Sequence, residues 1–363
     1  MHIANVFKDP EICRGLLKQI RTRLTRPFRF MEVCGTHTVA IFQSGLNTLL
    51  PEEIVHVSGP GCPVCVTHES EVAAFLALAE RPQVIIATFG DLMRVPGPNR
   101  RTLKLAQAEG AKVQVVYSPA ESLSLAQANP DKQIVFLGVG FETTAPTIAA
   151  TVIMAQAQGI ENFRVLCCHK LVPPALTALL GDPEAAVDAF ILPGHVSTII
   201  GVEPYRFLAT EHHVPAVIAG FDIVDILWAL YEIIRQLAEG RAEVVNIYSR
   251  AVANGGNPRA RAILYNVFQP ATALWRGIGP IPSSGLDFIP AYRHFDALEA
   301  LDIAMPETEP LVECRCGDIL KGKMRPDLCP LFKKVCTPAS PVGPCMVSAE
   351  GSCAAYFKYC LGA

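Results

Sequence analysis

Eight short, largely apolar runs of strand-forming character punctuate the first 220 positions of the chain, at 28–33, 54–58, 83–88, 112–117, 133–137, 164–168, 189–192 and 216–218. Each ends in a glycine- or proline-bearing turn and passes into a pattern of helical period. Strands alternating with helices predict parallel sheets flanked by helices. Eight such units suit two doubly wound halves of about four strands each better than one long sheet. After residue 254 the rhythm breaks at Gly255-Gly256-Asn257-Pro258 and again across 277–285. The expected organisation is an α/β domain over 1–130, a second α/β domain over 131–283 facing it across a cleft, and a smaller C-terminal region over 284–363. The stretch 221–237 reads as an amphipathic-to-buried helix bridging towards that last region.

Chemically distinctive residues cluster just after the predicted strands. Cys34 and His37 follow the first, Cys62 and Cys65 the second, Glu142 the fifth, His169 and Lys170 the sixth, and His195 the seventh. Open α/β sheets build ligand sites at the carboxyl ends of their strands, helped by helix N-termini. These residues are therefore expected to share one cleft between the two halves.

Composition narrows the chemistry. At 363 residues, half of them hydrophobic, the chain can bury a large core. The net charge of −3 comes with scattered Lys and Arg and no basic stripe, which argues against nucleic acid. Residues 1–7 lack a charged segment leading into an apolar run, so they do not read as a signal peptide. The most apolar later stretch, 214–230, is interrupted by Asp222 and Asp225 and is too short to span a bilayer. A soluble, cytoplasmic protein is expected. In that compartment the 13 cysteines point to metal or redox chemistry before structural disulfides.

The thiols fall in two sets. Cys62-Pro63-Val64-Cys65 is a C-x-x-C at a strand-to-helix turn, where a lowered thiol pKa is expected and either a disulfide or bidentate metal binding is possible. Cys34-Gly35-Thr36-His37 adds a thiolate and an imidazole within one helical turn, enough to bind iron or zinc or to join a thiol relay. Gly138-Val139-Gly140-Phe141-Glu142-Thr143-Thr144 lacks the Gly-Lys-Ser/Thr of a phosphate loop. It reads better as a turn presenting the Glu142 carboxylate to the cleft. Cys167 and Cys168 read as core, and Cys13 and Cys360 as incidental.

The second set is the tail: Cys314, Cys316, Cys329, Cys336, Cys345 and Cys353. Its spacing matches neither zinc fingers nor the bacterial ferredoxin run. Four thiolates satisfy one iron–sulfur cluster and leave two over. The single-residue gap makes it awkward for both Cys314 and Cys316 to bind one compact cluster, so one reads as a ligand and the other as a redox thiol beside it. A structural zinc site is the plain alternative.

Taken in order, Phe30-Met31-Glu32-Val33-Cys34-Gly35-Thr36-His37-Thr38, Ser58-Gly59-Pro60-Gly61-Cys62-Pro63-Val64-Cys65, Gly140-Phe141-Glu142-Thr143-Thr144, Leu192-Pro193-Gly194-His195-Val196-Ser197 and the run from Pro341 to Cys353 resemble the HypD family of hydrogenase-maturation proteins. The resemblance runs from about residue 26 to the end of the chain. It implies two α/β domains and a third holding a 4Fe–4S cluster. It also implies a role in assembling the Fe(CN)2CO unit of [NiFe] hydrogenases, with a HypC-type chaperone sharing a mononuclear iron that carries CN and CO, and with cyanide received from HypE and HypF. The family's essential cleft thiols correspond to Cys34, Cys62 and Cys65. By the same resemblance Cys314, Cys329, Cys336 and Cys353 are expected as cluster ligands and Cys316 with Cys345 as a redox pair. His37 and Glu142 are then expected as proton-handling groups. A thiol–disulfide reductase acting on a protein partner uses the same residues without mononuclear iron. A zinc-stabilised binding module is the remaining alternative.

Overall fold

The computed structural model describes residues 9–308 and 313–360; residues 1–7, read above for a targeting signal, lie outside them. Two parallel sheets form the frame. The first has the order β2 (Ile54–Ser58), β1 (Phe28–Glu32), β7 (Ala189–Pro193), β8 (Ala216–Ala219), β9 (Val244–Asn246). The second has the order β4 (Val113–Val115), β3 (Val84–Thr88), β5 (Gln133–Gly138), β6 (Phe163–Cys167). An antiparallel hairpin, β10 (Phe268–Trp275) and β11 (Gly279–Phe288), follows them in the chain.

Each of the eight expected runs carries a strand. The sheets do not, however, follow the divisions expected at 130 and 283. The chain builds β1 and β2, leaves to lay down all of the second sheet, and returns to insert β7 beside β1, pairing Phe30 with Ala189. Residue 130 falls between β4 and β5 of one sheet, and residue 283 lies within β11. The hairpin was hidden by Pro270 and by a register shift between Ala271 and Ala273, which destroy simple alternation.

Both faces of each sheet are buried, as all-parallel sheets require. Phe28, Phe30, Ile191 and Val217 turn outward to a core shared with the helices Pro10–Arg23 and Ile223–Glu239. The second of these is the helix expected to bridge towards the tail; it packs instead on the outer face of the first sheet, because its apolar stripe of Ile226, Leu230 and Ile233 is fully buried there. The alternate residues Met31, Val57, Phe190 and Ile218 meet Ile86, Val135 and Leu137 of the second sheet in one continuous interior. At about 1.5–3 kcal/mol for each large aliphatic side chain removed from water, this shared core holds the sheets together. Cys316, Cys336, Cys345 and Cys353 belong to the same interior, so the tail is packed into the frame.

The strand orders create two switch points. In the first sheet the chain proceeds one way from β1 to β2 and the other way from β7 to β9; in the second, β3 to β4 and β5 to β6 diverge likewise. Crevices at such points are where open α/β sheets place ligands. Cys34 and His195 follow β1 and β7 at the first, and Glu142 follows β5 at the second.

Candidate metal and redox centre

Cys34 is the N-cap of the helix Gly35–Gln43 and Cys62 that of the single turn Pro63–Val66. Their strands are neighbours, with Glu32 opposite Ser58. The two loops are locked together: the Gly35 N–H donates to the Gly61 carbonyl at 3.0 Å and the Gly59 N–H to the Glu32 carbonyl at 2.8 Å. A β-carbon at residue 61 would lie 2.1 Å from the Cys34 nitrogen, so only glycine lets the second loop approach the first this closely. Within the turn, the Cys62 and Cys65 sulfurs are 2.6 Å apart and the Cys65 N–H reaches the Cys62 sulfur at 3.3 Å.

All three thiols are buried, and at Cys34 and Cys65 burial overrides the helix N-terminus. Desolvation pushes the Cys34 thiol up to about 12, reinforced by Glu350, although the N–H groups of Thr36 and His37 favour its thiolate. Desolvation likewise raises Cys65, with Cys62, Cys353 and Glu350 adding to it. The lowered pKa expected for the C-x-x-C turn is therefore corrected for Cys65: one helical turn of four residues offsets too little of the cost of burying a thiolate.

Glu32, unmarked by any motif, organises the Cys34 loop. Fully buried, it accepts the Cys34 N–H at 3.1 Å and the Thr38 hydroxyl at 2.6 Å, with His56 Nε2 at 3.4 Å. The available signal was an acidic residue inside an apolar strand.

His37 is fully buried, and its Nε2 lies 2.8 Å from the Gly220 carbonyl beyond β8. Because that oxygen can only accept, Nε2 carries the proton, and Nδ1 is left as an acceptor with no hydrogen-bond partner among the described residues. Burial lowers the imidazole to about 4, so it is neutral. Phe221 lies between His37 and His195, with ring centroids 4.7 and 4.1 Å away. Glu142 accepts the Val172 N–H at 2.9 Å through Oε1, while Oε2 is buried and unpartnered. Burial lifts its carboxyl to about 7. The fully buried Tyr205, which no motif indicated, is raised by burial, with the charges of Glu142 and Cys34 adding to it.

The Lys170 N–H donates to the Gly140 carbonyl of the Glu142 loop at 2.9 Å, but the side chains of Lys170 and His169 find other partners. Lys170 Nζ pairs with Glu71 Oε1 at 2.5 Å, both buried, and His169 Nδ1 meets Cys167 Sγ at 3.2 Å. Cys168 is core, Cys13 is buried on its helix, and the Cys360 sulfur lies near Asn47.

In the tail, Cys316 and Cys345 form a disulfide. They line one small, narrow pocket together with Cys314, Cys329, Cys336 and Cys353. Cys353 is raised by burial and by Cys314, Cys336 and Cys329; Cys314 is pushed up to about 11 by burial, with Cys336 and Cys329 adding to it. The four free thiols thus feel one another. The Pro344–Met346 turn, which carries Cys345, packs on the C-x-x-C turn. Among the described residues, no three His, Cys, Asp or Glu side chains converge closely enough to hold a single ion.

The family model described as "Hydrogenase formation hypA family" and named HypD matches residues 11–360. The chain belongs to the HypD family. It is 44% identical over 368 residues to the hydrogenase maturation factor HypD2 of Bradyrhizobium diazoefficiens, covering 99% of this chain and 97% of the relative. It is 43% identical over 371 residues to HypD of Rhodobacter capsulatus and 42% identical over 367 residues to HypD of Escherichia coli K12; each alignment covers 99% of this chain and 98% of the relative. A hydrogenase maturation factor is the function these relatives support. Among the described residues, no helix is long and apolar enough to cross a membrane.

Proposed function

We propose that the chain is the scaffold and redox partner on which the Fe(CN)2CO unit is assembled, with a HypC-type chaperone completing the iron site and HypE delivering cyanide. One observation carries this reading: the C-x-x-C turn lies between the Cys34 loop and the sulfur-lined tail. It hydrogen-bonds to the first through Gly61 and packs on the second through the Cys345 turn.

The iron and its diatomic ligands are the cargo. Soft, low-spin iron suits thiolates, and a buried crevice shields it from oxidation. Cys34 is the leading ligand, with Cys62 and Cys65 on the adjoining loop. The three are not a ready-made cage, which suits a site that a second protein completes. Cys34 and Cys65, held neutral by burial, must shed protons when they bind metal. In this reading the Glu142 carboxyl, lifted to about 7 by burial, accepts them, while His37, lowered to about 4, stays a neutral hydrogen-bonding group.

The tail thiols Cys314, Cys329, Cys336 and Cys353 would hold a 4Fe–4S cluster. The donor set fits: four free thiols on one pocket suit a cluster, whose ligands each take a different iron and so stand further apart than the ligands of one ion. When bound, the cluster supplies one-electron chemistry. The chain's own contribution is thiol–disulfide exchange across the packed turns. Cys62 and Cys65 would form their disulfide as Cys316–Cys345 opens, two electrons and two protons passing from one pair to the other.

The test is anaerobic co-purification with the HypC-type partner from cells making every maturation protein, followed by infrared spectroscopy in the region of metal-bound CO and cyanide and by iron and sulfide analysis. Cys34→Ala should lose the diatomic bands while retaining about four irons and four sulfides per chain. Full-intensity bands in that variant would overturn the ligand assignment. A native protein with cluster and no bands would favour the thiol–disulfide reductase, which the adjacency of dithiol and disulfide also suits. A colourless, zinc-containing protein would favour the binding module.

A further inference from the structure

Arg276 stands at the tip of the β10–β11 hairpin, 3% exposed, between the two thiol sets. Its backbone N–H donates to the Val66 carbonyl at 3.0 Å, its Nε to the Thr67 carbonyl at 2.7 Å and its Nη1 to Glu69 Oε1 at 2.5 Å. It therefore grips the end of the turn that carries Cys65. On its other side it lines a surface pocket with Cys314 and Cys316. The hairpin tip is seated there without side chains in between: Gly277 has φ +72°, and a β-carbon on it would lie 2.2 Å from the Gly317 α-carbon.

The third donor group, Nη2, is buried with no hydrogen-bond partner among the described residues. A guanidinium has no neutral form at physiological pH, so an unpaired buried N–H on it is expensive and calls for an anionic acceptor. Glu69, Cys314, Glu71 and Cys65 are the groups acting on its charge. Both carboxylates are engaged already, Glu69 by Nη1 of Arg276 and Glu71 by Lys170. Cys314, which lines the same pocket and acts on the same charge, is a sulfur that the unspent N–H can serve.

We propose that Arg276 is a positioning residue for the redox chemistry, supplying its unspent N–H and its charge to the tail sulfurs and so stabilising their electron-rich state. Adding an electron beside a buried cation is easier, so Arg276 raises the midpoint potential of the tail centre. It also holds the C-x-x-C turn in register with that centre. This inference rests on the tail carrying a cluster, and its test separates the two.

The experiment is a potentiometric titration of the anaerobic full-length protein, followed by electron paramagnetic resonance. Arg276→Gln should shift the midpoint to more negative potential, and by more than Arg315→Gln, which removes an exposed charge next to Cys314. Glu69→Gln frees Arg276 of its counter-charge and should shift the midpoint the opposite way; it decides alone if Arg276→Gln does not fold. A purely structural role would not give shifts of opposite sign. If variants with full iron content show no shift, or Arg276→Gln shifts no further than Arg315→Gln, the proposal is wrong. Should the native protein hold no cluster, the cluster reading fails, and the Cys316–Cys345 equilibrium in a dithiothreitol redox buffer decides instead. Arg276→Gln should then favour the disulfide by about tenfold, the size of one charge-assisted hydrogen bond; an unchanged equilibrium would overturn the proposal.

Discussion

Gly35 and Glu350 are in direct backbone contact: a β-carbon at residue 35 would lie 2.5 Å from the Glu350 carbonyl oxygen. The next residue, Thr36, donates its hydroxyl to Glu350 Oε1 at 2.7 Å. The cysteine-rich tail is thereby clasped to the first turn of the Cys34 helix, and Glu350 is among the groups that raise Cys34. Gly35→Ala should force the tail away. The expected cost is about 1–3 kcal/mol, as for overpacking. Hydrogen exchange should quicken together in the helices Gly35–Gln43 and Ser352–Tyr359. Faster exchange in only one of them would show that the contact does not couple the tail to the Cys34 loop.

Glu142 gives a pH signature. Its carboxyl titrates from 4.5 in a free chain to about 7 in the fold, because burial disfavours the charged form. A raised carboxyl pKa means that folding favours the protonated state. Its stabilising share is complete below pH 4.5 and is lost as pH rises through 7. Glu142→Gln keeps an acceptor for the Val172 N–H and removes the titration. The variant should gain on the native protein between pH 5 and 8, by at most about 3 kcal/mol. Denaturant midpoints across that range supply the measurement, and parallel curves for the two proteins would refute the assignment.

The Lys170–Glu71 pair joins the residues after β6 to the helix Glu69–Ala79, with side chains 2% and 9% exposed. Lys170→Met leaves the Glu71 carboxylate buried and unpaired and should cost about 3–5 kcal/mol. Glu71 also caps its own helix by accepting the His68 N–H at 2.8 Å. Combining Lys170→Met with Glu71→Gln preserves that cap and removes the stranded charge, so most of the loss should return. Guanidinium unfolding of the single and double variants tests this; a double variant as weak as Lys170→Met alone would mean the pair is not the cause.

The strands of both sheets were legible because each buries both faces, so apolar residues run unbroken from Ile134 to Leu137 and from Phe190 to Leu192. Their order was not. Nothing in such a run says whether its neighbour is the next strand or one laid down a hundred residues later, and β7 is chosen for β1 by shared core shape. Cys34, Cys62, Cys65 and Glu142 were findable because they stand in glycine- and proline-rich turns whose backbone geometry writes a motif. Arg276 was not, since its partners, Thr67 among them, lie far off in sequence; Glu32, with its local partners Cys34 and Thr38, left only the signal of an acid inside an apolar strand. The protonation of the thiols was also out of reach: local helix position argued for thiolates, and only the assembled interior reveals the depth of burial that reverses it.

Cys316 and Cys345 close a loop across 29 residues. Loop-closure entropy for that length is worth up to roughly 3.5 kcal/mol, acting on the unfolded chain. Both residues belong to the core shared by the two sheets, so opening the bridge also loosens packing next to Met346 and Val347. Cys316→Ser should lower the unfolding midpoint of the oxidised protein. It should leave the reduced protein nearly unchanged, because reduction already removes the cross-link there. The comparison is made by thermal unfolding with and without dithiothreitol under anaerobic conditions. Equal losses in both states would place the effect in the packing of the Cys316 side chain. A loss confined to the oxidised state would establish that the bridge is the element through which the tail's redox state sets its stability.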